Sequence, residues 1–241
     1  MKTLPTINIY YWYLLISVTI IGETAADLLS MTFDVGYGMS TLILLGLFLL
    51  VLGKALLSKG QQPFVYWLLI SLASTSGTTI SDFFSRTLQF GYGITCVLVA
   101  MLLISVFILL KKRKETQIIN ATLDSKTELF YWLALLFSSI FGTAFGDLIA
   151  NGTPLGFAGT TVLLLSLLSI IGFVSQFTSV SKEICYWAAI VIIHPIGATT
   201  GDFMTKPEGL NLGNAMATAI ILGMLSAIIF IFRKAQKNNS L

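Results

Sequence analysis
What most limits the fold of this chain is a succession of eight apolar segments, near residues 9–29, 37–57, 64–84, 92–112, 129–149, 157–177, 184–204 and 212–232. A helix needs about 20 mostly apolar residues to cross a hydrocarbon core of about 30 Å, and each segment is that long. The segments are continuously apolar and lack the in/out alternation of outer-membrane strands, so helices are expected rather than a barrel. Of the 241 residues 56% are apolar and 10% charged, against roughly 25% charged in an ordinary soluble domain. With mean hydropathy at +0.88, an all-α polytopic membrane protein with eight transmembrane helices is expected, and no large soluble domain fits in the remainder.

Basic residues set the expected orientation. Twelve of the fourteen lie at the chain ends or in the loops after segments two, four and six: Lys2, Lys54, Lys59, Lys111, Lys112, Arg113, Lys114, Lys126, Lys182, Arg233, Lys234 and Lys237. Basic loops stay on the cytoplasmic side, so both termini are expected there. The net charge of +3 reflects this bias and gives no ground for a nucleic-acid partner. Lys2 followed by an apolar run and Ala25-Ala26 imitates a cleavable signal peptide, a reading the repeat below argues against. Cys96 and Cys185 fall near opposite membrane faces and cannot form a disulfide framework.

One pattern occurs four times with identical spacing: Tyr-Trp, nine residues, Gly, four residues, Asp. The copies are Tyr11-Trp12…Gly22…Asp27, Tyr66-Trp67…Gly77…Asp82, Tyr131-Trp132…Gly142…Asp147 and Tyr186-Trp187…Gly197…Asp202. Each copy with its following segment makes a two-helix unit, giving tandem repeats over 1–60, 61–128, 129–181 and 182–241 within one integral membrane domain. All four units start on the same side, so they are parallel, and pseudo-fourfold or twice-twofold packing is expected. The Tyr-Trp pairs read as interfacial anchors.

Asp follows Trp by fifteen residues, about 22 Å along a helix, which puts it in the outer third of the bilayer. A carboxylate at the bilayer centre costs about 2.5–3.5 kcal/mol, somewhat less toward the interface, and four such costs need an offset. Beneath the aspartates lie Thr19, Ser74, Ser139 and His194, then Glu23 and Thr24, Thr78 and Thr79, Thr143, and Thr199. At these spacings they form a polar stripe on each odd-numbered helix. Ser40, Thr41, Thr95, Thr160, Thr161 and Asn214 add oxygens from the second helices. A polar, water-accessible interior in the outer half is expected.

Two readings of the aspartates stand side by side. They could cap their own turns or bond a neighbour's threonine and only fix the assembly. Against this, the copies are unequal: Arg86 and Lys206 follow Asp82 and Asp202 by four residues, where Asp27 and Asp147 are followed by Met31 and Asn151. Glu23 adds a carboxylate one turn below Asp27. Five acids against two bases leave −3 if all ionise, a surplus that calls for protons or a bound cation. His194 is a candidate relay or ligand, or else a bonded core histidine. The adjoining Pro195, with Gly197 and Gly201, is expected to break or loosen helix seven.

Gly36-Tyr37-Gly38 and Gly91-Tyr92-Gly93 resemble a potassium filter. Only eight residues separate Asp from the first Gly, too few for a pore helix, so these glycines are read as turn formers.

The four Tyr-Trp…Gly…Asp copies give the whole chain a resemblance to a bacterial membrane-protein family of four tandem two-helix repeats, one tryptophan per repeat, known only as a repeat of unknown function. The resemblance implies the fold and a bacterial inner-membrane setting and no mechanism. His194-Pro195 and the lack of Gly-aromatic-Gly make repeat four the most divergent.

The residues therefore lead to an expected secondary transporter of a small cation, Mn²⁺ first among hard or borderline divalent ions, exported by proton exchange. Asp27, Asp147 and Glu23 are the expected principal and metal ligands. Asp82 and Asp202, with Thr24, Thr79, Thr143, Thr199 and His194, complete the binding set, and Arg86 and Lys206 are expected to form gating ion pairs. The alternatives are a proton-coupled carrier of a small organic anion or zwitterion held by Arg86 and Lys206, and a non-transporting sensor or scaffold. No nucleophile–base pair or phosphate loop marks an enzyme, and no cofactor is expected beyond a divalent ion as substrate. The expected partners are the lipid bilayer, the cation and protons, with a homo-oligomer left open.

Overall fold
The computed structural model describes residues 2–3, 5–58, 60, 62–112 and 122–238. Of the basic residues that set the orientation, Lys59, Arg113 and Lys114 lie outside this set, and for Lys2, Arg233, Lys234 and Lys237 the description covers backbone alone. Eight helices follow one another: α1 (Ile9–Asp27), α2 (Tyr37–Leu57), α3 (Pro63–Asp82), α4 (Gly91–Lys112), α5 (Ser125–Gly152), α6 (Gly156–Phe177), α7 (Lys182–Thr205) and α8 (Asn214–Asn238). The only extended pairing among the described residues is a two-residue bridge between Lys2–Thr3 and Thr122–Leu123.

Among the described residues six helical spans are long and apolar enough to cross a membrane; α3 is not one of them, and of α8 the stretch Asn214–Ala227 is apolar but shorter. In α3 the reason is its second half, Ser74-Thr75-Ser76-Gly77-Thr78-Thr79, which is buried or half-buried in the bundle and has no need of apolarity. The outward faces of α2, α4 and α6 expose Leu50, Val97, Met101, Val162, Ile170 and Phe173, the surface that lipid rather than water stabilises.

The odd-numbered helices form a closed inner ring, each touching the next in the order α1, α3, α5, α7 and back to α1. The even-numbered helices lie outside, and each packs most heavily on the first helix of the following repeat: α2 on α3, α4 on α5, α6 on α7, α8 on α1. The repeated glycine creates the inner contacts. A Cβ at Gly142 would stand 2.5 Å from the Cβ of His194, and one at Gly197 would stand 2.5 Å from the Cβ of Thr19. Gly22 and Gly77 meet Ser74 and Ser139 in the same way. A glycine in each repeat thus receives the residue three places before the next repeat's glycine.

The tyrosines are not interfacial anchors. Tyr11, Tyr66, Tyr131 and Tyr186 turn inward and close a square of hydroxyl contacts: Tyr11–Tyr66 2.9 Å, Tyr66–Tyr131 2.8 Å, Tyr131–Tyr186 2.9 Å and Tyr186–Tyr11 3.0 Å. Each ring also packs on the next repeat's tryptophan, from Tyr66–Trp132 at 5.4 Å between centroids to Tyr186–Trp12 at 5.9 Å. Tyrosine and glycine eleven residues apart differ by only about 20° around a helix, so the residue that makes the ring shares the glycine's face. Because the tyrosines meet at one end of α1, α3, α5 and α7 and the aspartates at the other, the four helices run parallel.

Pro195 does not break α7, which runs unbroken from Lys182 to Thr205. The close approach of α5 at Gly142, against His194 and the nitrogen of Pro195, leaves the segment no room to bend. Irregularity appears instead in repeats one and two as wide π turns at Leu28–Thr32 and Phe83–Thr87. The glycines of the Gly-aromatic-Gly stretches do form turns: Gly36 and Gly91 have φ of 77° and 71°, and positive φ recurs at Gly156, the first residue of α6, and at Gly213, just before α8.

Candidate functional site
Five carboxylates gather where the inner helices end. Glu23, Asp27, Asp82, Asp147 and Asp202 are each 1–4% exposed, so the expected wet interior is an occluded cluster here. Its roof is more open, with the Arg86 and Lys206 side chains 31% and 20% exposed.

Arg86 sits in the π turn after α3. Its Nε donates to Asp82 Oδ1 at 2.8 Å and its Nη2 to Asp147 Oδ2 at 3.0 Å. The pair with Asp82 agrees with the four-residue spacing. The bond to Asp147 corrects the reading of that aspartate as one without a cation: the planar guanidinium is long enough to serve two repeats at once. Tyr37 and Tyr92 flank the guanidinium at 6.0 and 5.7 Å from their ring centroids, within cation–π range. The Gly-Tyr-Gly tyrosines therefore hold the cation that roofs the carboxylates. In repeats three and four Lys206 donates to Asp202 Oδ2 and lies 4.9 Å from the Phe157 ring.

On the other side of the ring the one ion pair among the described residues is that of Lys206 with Asp202. Among the described residues Asp27 has no ion pair, and Glu23, Asp27 and Asp202 each bring a carboxylate oxygen to within 4.8 Å of the others. Three oxygens 4.8 Å apart have a common point about 2.8 Å from each, slightly outside the 2.3–2.6 Å of Ca²⁺–oxygen bonds, so a small contraction would close them on an ion. Asp202 Oδ1 is buried with no hydrogen-bond partner among the described residues, a costly condition for a carboxylate oxygen unless something is bound there. Glu23 Oε2 accepts from Thr78 Oγ1 at 2.9 Å and Thr143 Oγ1 at 3.2 Å, and the two hydroxyls are 3.1 Å apart. Thr78, Thr143 and Ala198 occupy the place of Glu23 in the other repeats, and Ala198 with Gly201 keeps the fourth wall small; a Cβ on Gly201 would meet Glu23 at 2.9 Å.

The remaining threonines serve the seams. Thr24 accepts from Thr218 of α8, Thr199 accepts from Thr161 of α6 and donates to Pro195 O, and Thr79 donates to Ser76 O. His194 Nδ1 donates to Ile190 O at 2.8 Å, one turn short of the level of Glu23 and two short of the aspartates. Thr78, rather than Thr79, faces the cluster; its position one residue after the glycine, matching Glu23, is the signal in the sequence.

The fold and this cluster define a helical membrane protein of four tandem units with an acidic centre at the ends of its inner helices. The chain belongs to the family described as Repeat of Unknown Function (DUF347), which matches residues 10–61, 65–116, 130–180 and 185–238. No curated protein and no solved structure matches the chain.

Proposed function
We propose that the protein is a secondary transporter that moves a small cation, a divalent metal with Mn²⁺ as first candidate, in exchange for protons across the bacterial inner membrane. In this reading all eight helices cross the bilayer in a pseudo-fourfold arrangement, both termini are cytoplasmic and the acidic cluster lies in the outer half. The observation that carries it is the buried trio of Glu23, Asp27 and Asp202, three carboxylates within 4.8 Å of one another with one oxygen of Asp202 unmatched. Such groups inside a membrane bundle are retained for ion or proton traffic far more readily than for packing. Oxygen-only donors favour Mn²⁺, Mg²⁺ or Ca²⁺ over copper. Asp147 is held by Arg86, so the ligand role passes from it to Asp202. Arg86 and the two tyrosines form the fixed part of the outer roof.

The test is flux in liposomes holding purified protein, a pH dye and a panel of cation gradients. Glu23→Gln and Asp27→Asn should each lower metal-driven proton movement at least tenfold with folding retained. Unchanged flux in both variants would remove the trio from the pathway. Greater loss in Arg86→Gln and Lys206→Gln than in either acid variant would indicate an organic anion instead, and a protein that moves nothing under any gradient would be a sensor or scaffold.

A further inference from the structure
The two roof cations are held very differently. Arg86 is fixed by two carboxylates from two repeats and by two aromatic rings. Among the described residues Lys206 has one carboxylate partner, Asp202 Oδ2, and one ring, Phe157, at 4.9 Å. It follows the last residue of α7 in extended conformation, with φ −86° and ψ 155°. The turn behind it fixes its backbone, with Gly209 and Asn211 both donating to its carbonyl, so movement is confined to the flexible four-carbon stem.

We infer that Lys206 is a tethered occupant of the cation site, an internal ammonium that rests on Asp202 when the trio is empty and is displaced along Phe157 toward the surface when a cation binds. The inference rests on the cation-site reading above and adds the residue that sets its affinity and charge selectivity. With Lys206 in place, Glu23, Asp27, Asp202 and the ammonium sum to −2 when the acids are ionised, and without it to −3. An ion in the trio takes the other oxygen of the carboxylate that the ammonium holds, and two positive charges on one buried carboxylate repel each other, so the ion works against the lysine at Asp202. A monovalent ion gives no more charge than the lysine it displaces, whereas a divalent ion brings one more. That difference favours a divalent substrate. The face of Phe157, already 4.9 Å from the ammonium while it rests on Asp202, stays a partner for it once that bond is given up, which it would not be for a neutral side chain. Asp202 Oδ1 gives the incoming ion a first point of attachment before the lysine leaves.

The experiment titrates Mn²⁺ into full-length detergent-purified protein, following loss of the free-ion electron paramagnetic resonance signal, for wild type, Lys206→Met and Lys206→Arg. Lys206→Met should bind Mn²⁺ at least tenfold more tightly than wild type. Lys206→Arg should bind more weakly, because a guanidinium engages both oxygens of a carboxylate. In parallel, acylation of Lys206 in the unaltered protein, read by peptide mass spectrometry, should rise several-fold with saturating Mn²⁺; this arm does not depend on how any variant folds. Mn²⁺ binding of equal strength in wild type and Lys206→Met, or binding that leaves acylation unchanged or lower, would overturn the displaceable lysine and leave the cation site standing. If neither protein bound Mn²⁺, Ca²⁺ or Na⁺, the cation site itself would fall, and this inference with it.

Discussion
At the scale of single residues, Arg86 shows how one long cation organises a cluster too acidic to assemble by itself. It supplies one positive charge to two carboxylates that are each 2% exposed, and removing it would leave both without a cation. Breaking a buried pair by deleting one partner costs about 3–5 kcal/mol, and the partial exposure of the guanidinium points to the lower end. Arg86→Gln is thus expected to lose about 3 kcal/mol, read as a lower melting temperature in a fixed detergent. Adding Asp82→Asn and Asp147→Asn to that variant should recover much of the loss, because the amides need no counter-charge. Arg86→Lys should fall between, since an ammonium does not reproduce the fork that spans both repeats. The half of this arrangement within one helix, Asp82 with Arg86, follows from a four-residue spacing and is legible in the sequence. The half that reaches Asp147 depends on which helix stands next in the ring, which no local spacing encodes. For the same reason Asp147 reads as unpaired until the ring order is known, whereas the pairing of Asp202 with Lys206 follows from their spacing alone.

At the scale of elements, the glycines of the repeat decide how closely the inner helices approach. Their fixed offset marks them as contact points, but the sequence does not say what they contact. The partner proves to be the position occupied by Thr19, Ser74, Ser139 and His194, which therefore has a packing duty beside any chemical one. At Gly142 an added Cβ would meet not only His194 Cβ but its backbone carbon and the Pro195 nitrogen at 2.8 Å, so rotamer changes cannot relieve the clash. Gly142→Ala should destabilise by about 1–3 kcal/mol through forced separation of α5 and α7. Gly46, inside α2 with nothing within 4 Å of an added Cβ, should respond oppositely, gaining up to about 1 kcal/mol from helix propensity. Thermal melts of the two variants beside wild type check both signs; a loss in both would show that helix spacing is not what distinguishes these glycines. Helix limits were legible to within a few residues because they follow the apolar runs. The π turns were not, since a shift of the backbone hydrogen bonds to carbonyls five or six residues back, as in Phe33 to Leu28 and Leu88 to Phe83, leaves no mark in the apolar pattern.

At the scale of the whole molecule, the inner ring is closed unequally at its two ends. At the acidic end the closure is two roof side chains. At the other it is the square of tyrosine hydroxyls, followed one turn along the helices by Leu15, Ile70, Leu135 and Ile190, all essentially inaccessible to solvent. The tyrosine square lies about 18 Å from Glu23, twelve residues at the rise of a helix. Four hydroxyls in a closed square can each donate once and accept once, so the whole is satisfied only while it is complete. Tyr131→Phe would leave a three-membered chain with one donor and one acceptor unmet among buried groups, costing about 1–2 kcal/mol. Replacing all four, Tyr11→Phe, Tyr66→Phe, Tyr131→Phe and Tyr186→Phe, removes every unmet group along with every bond and should cost well under four times the single change. Melting temperatures of the single, double and fourfold variants measure that curvature. Strict additivity would mean that the tyrosines act one by one through packing against their tryptophans. A loss that levels off after the first substitution would mean that the four repeats are joined at this end as a unit, so that any opening of the ring toward that side breaks the whole square at once rather than one contact at a time.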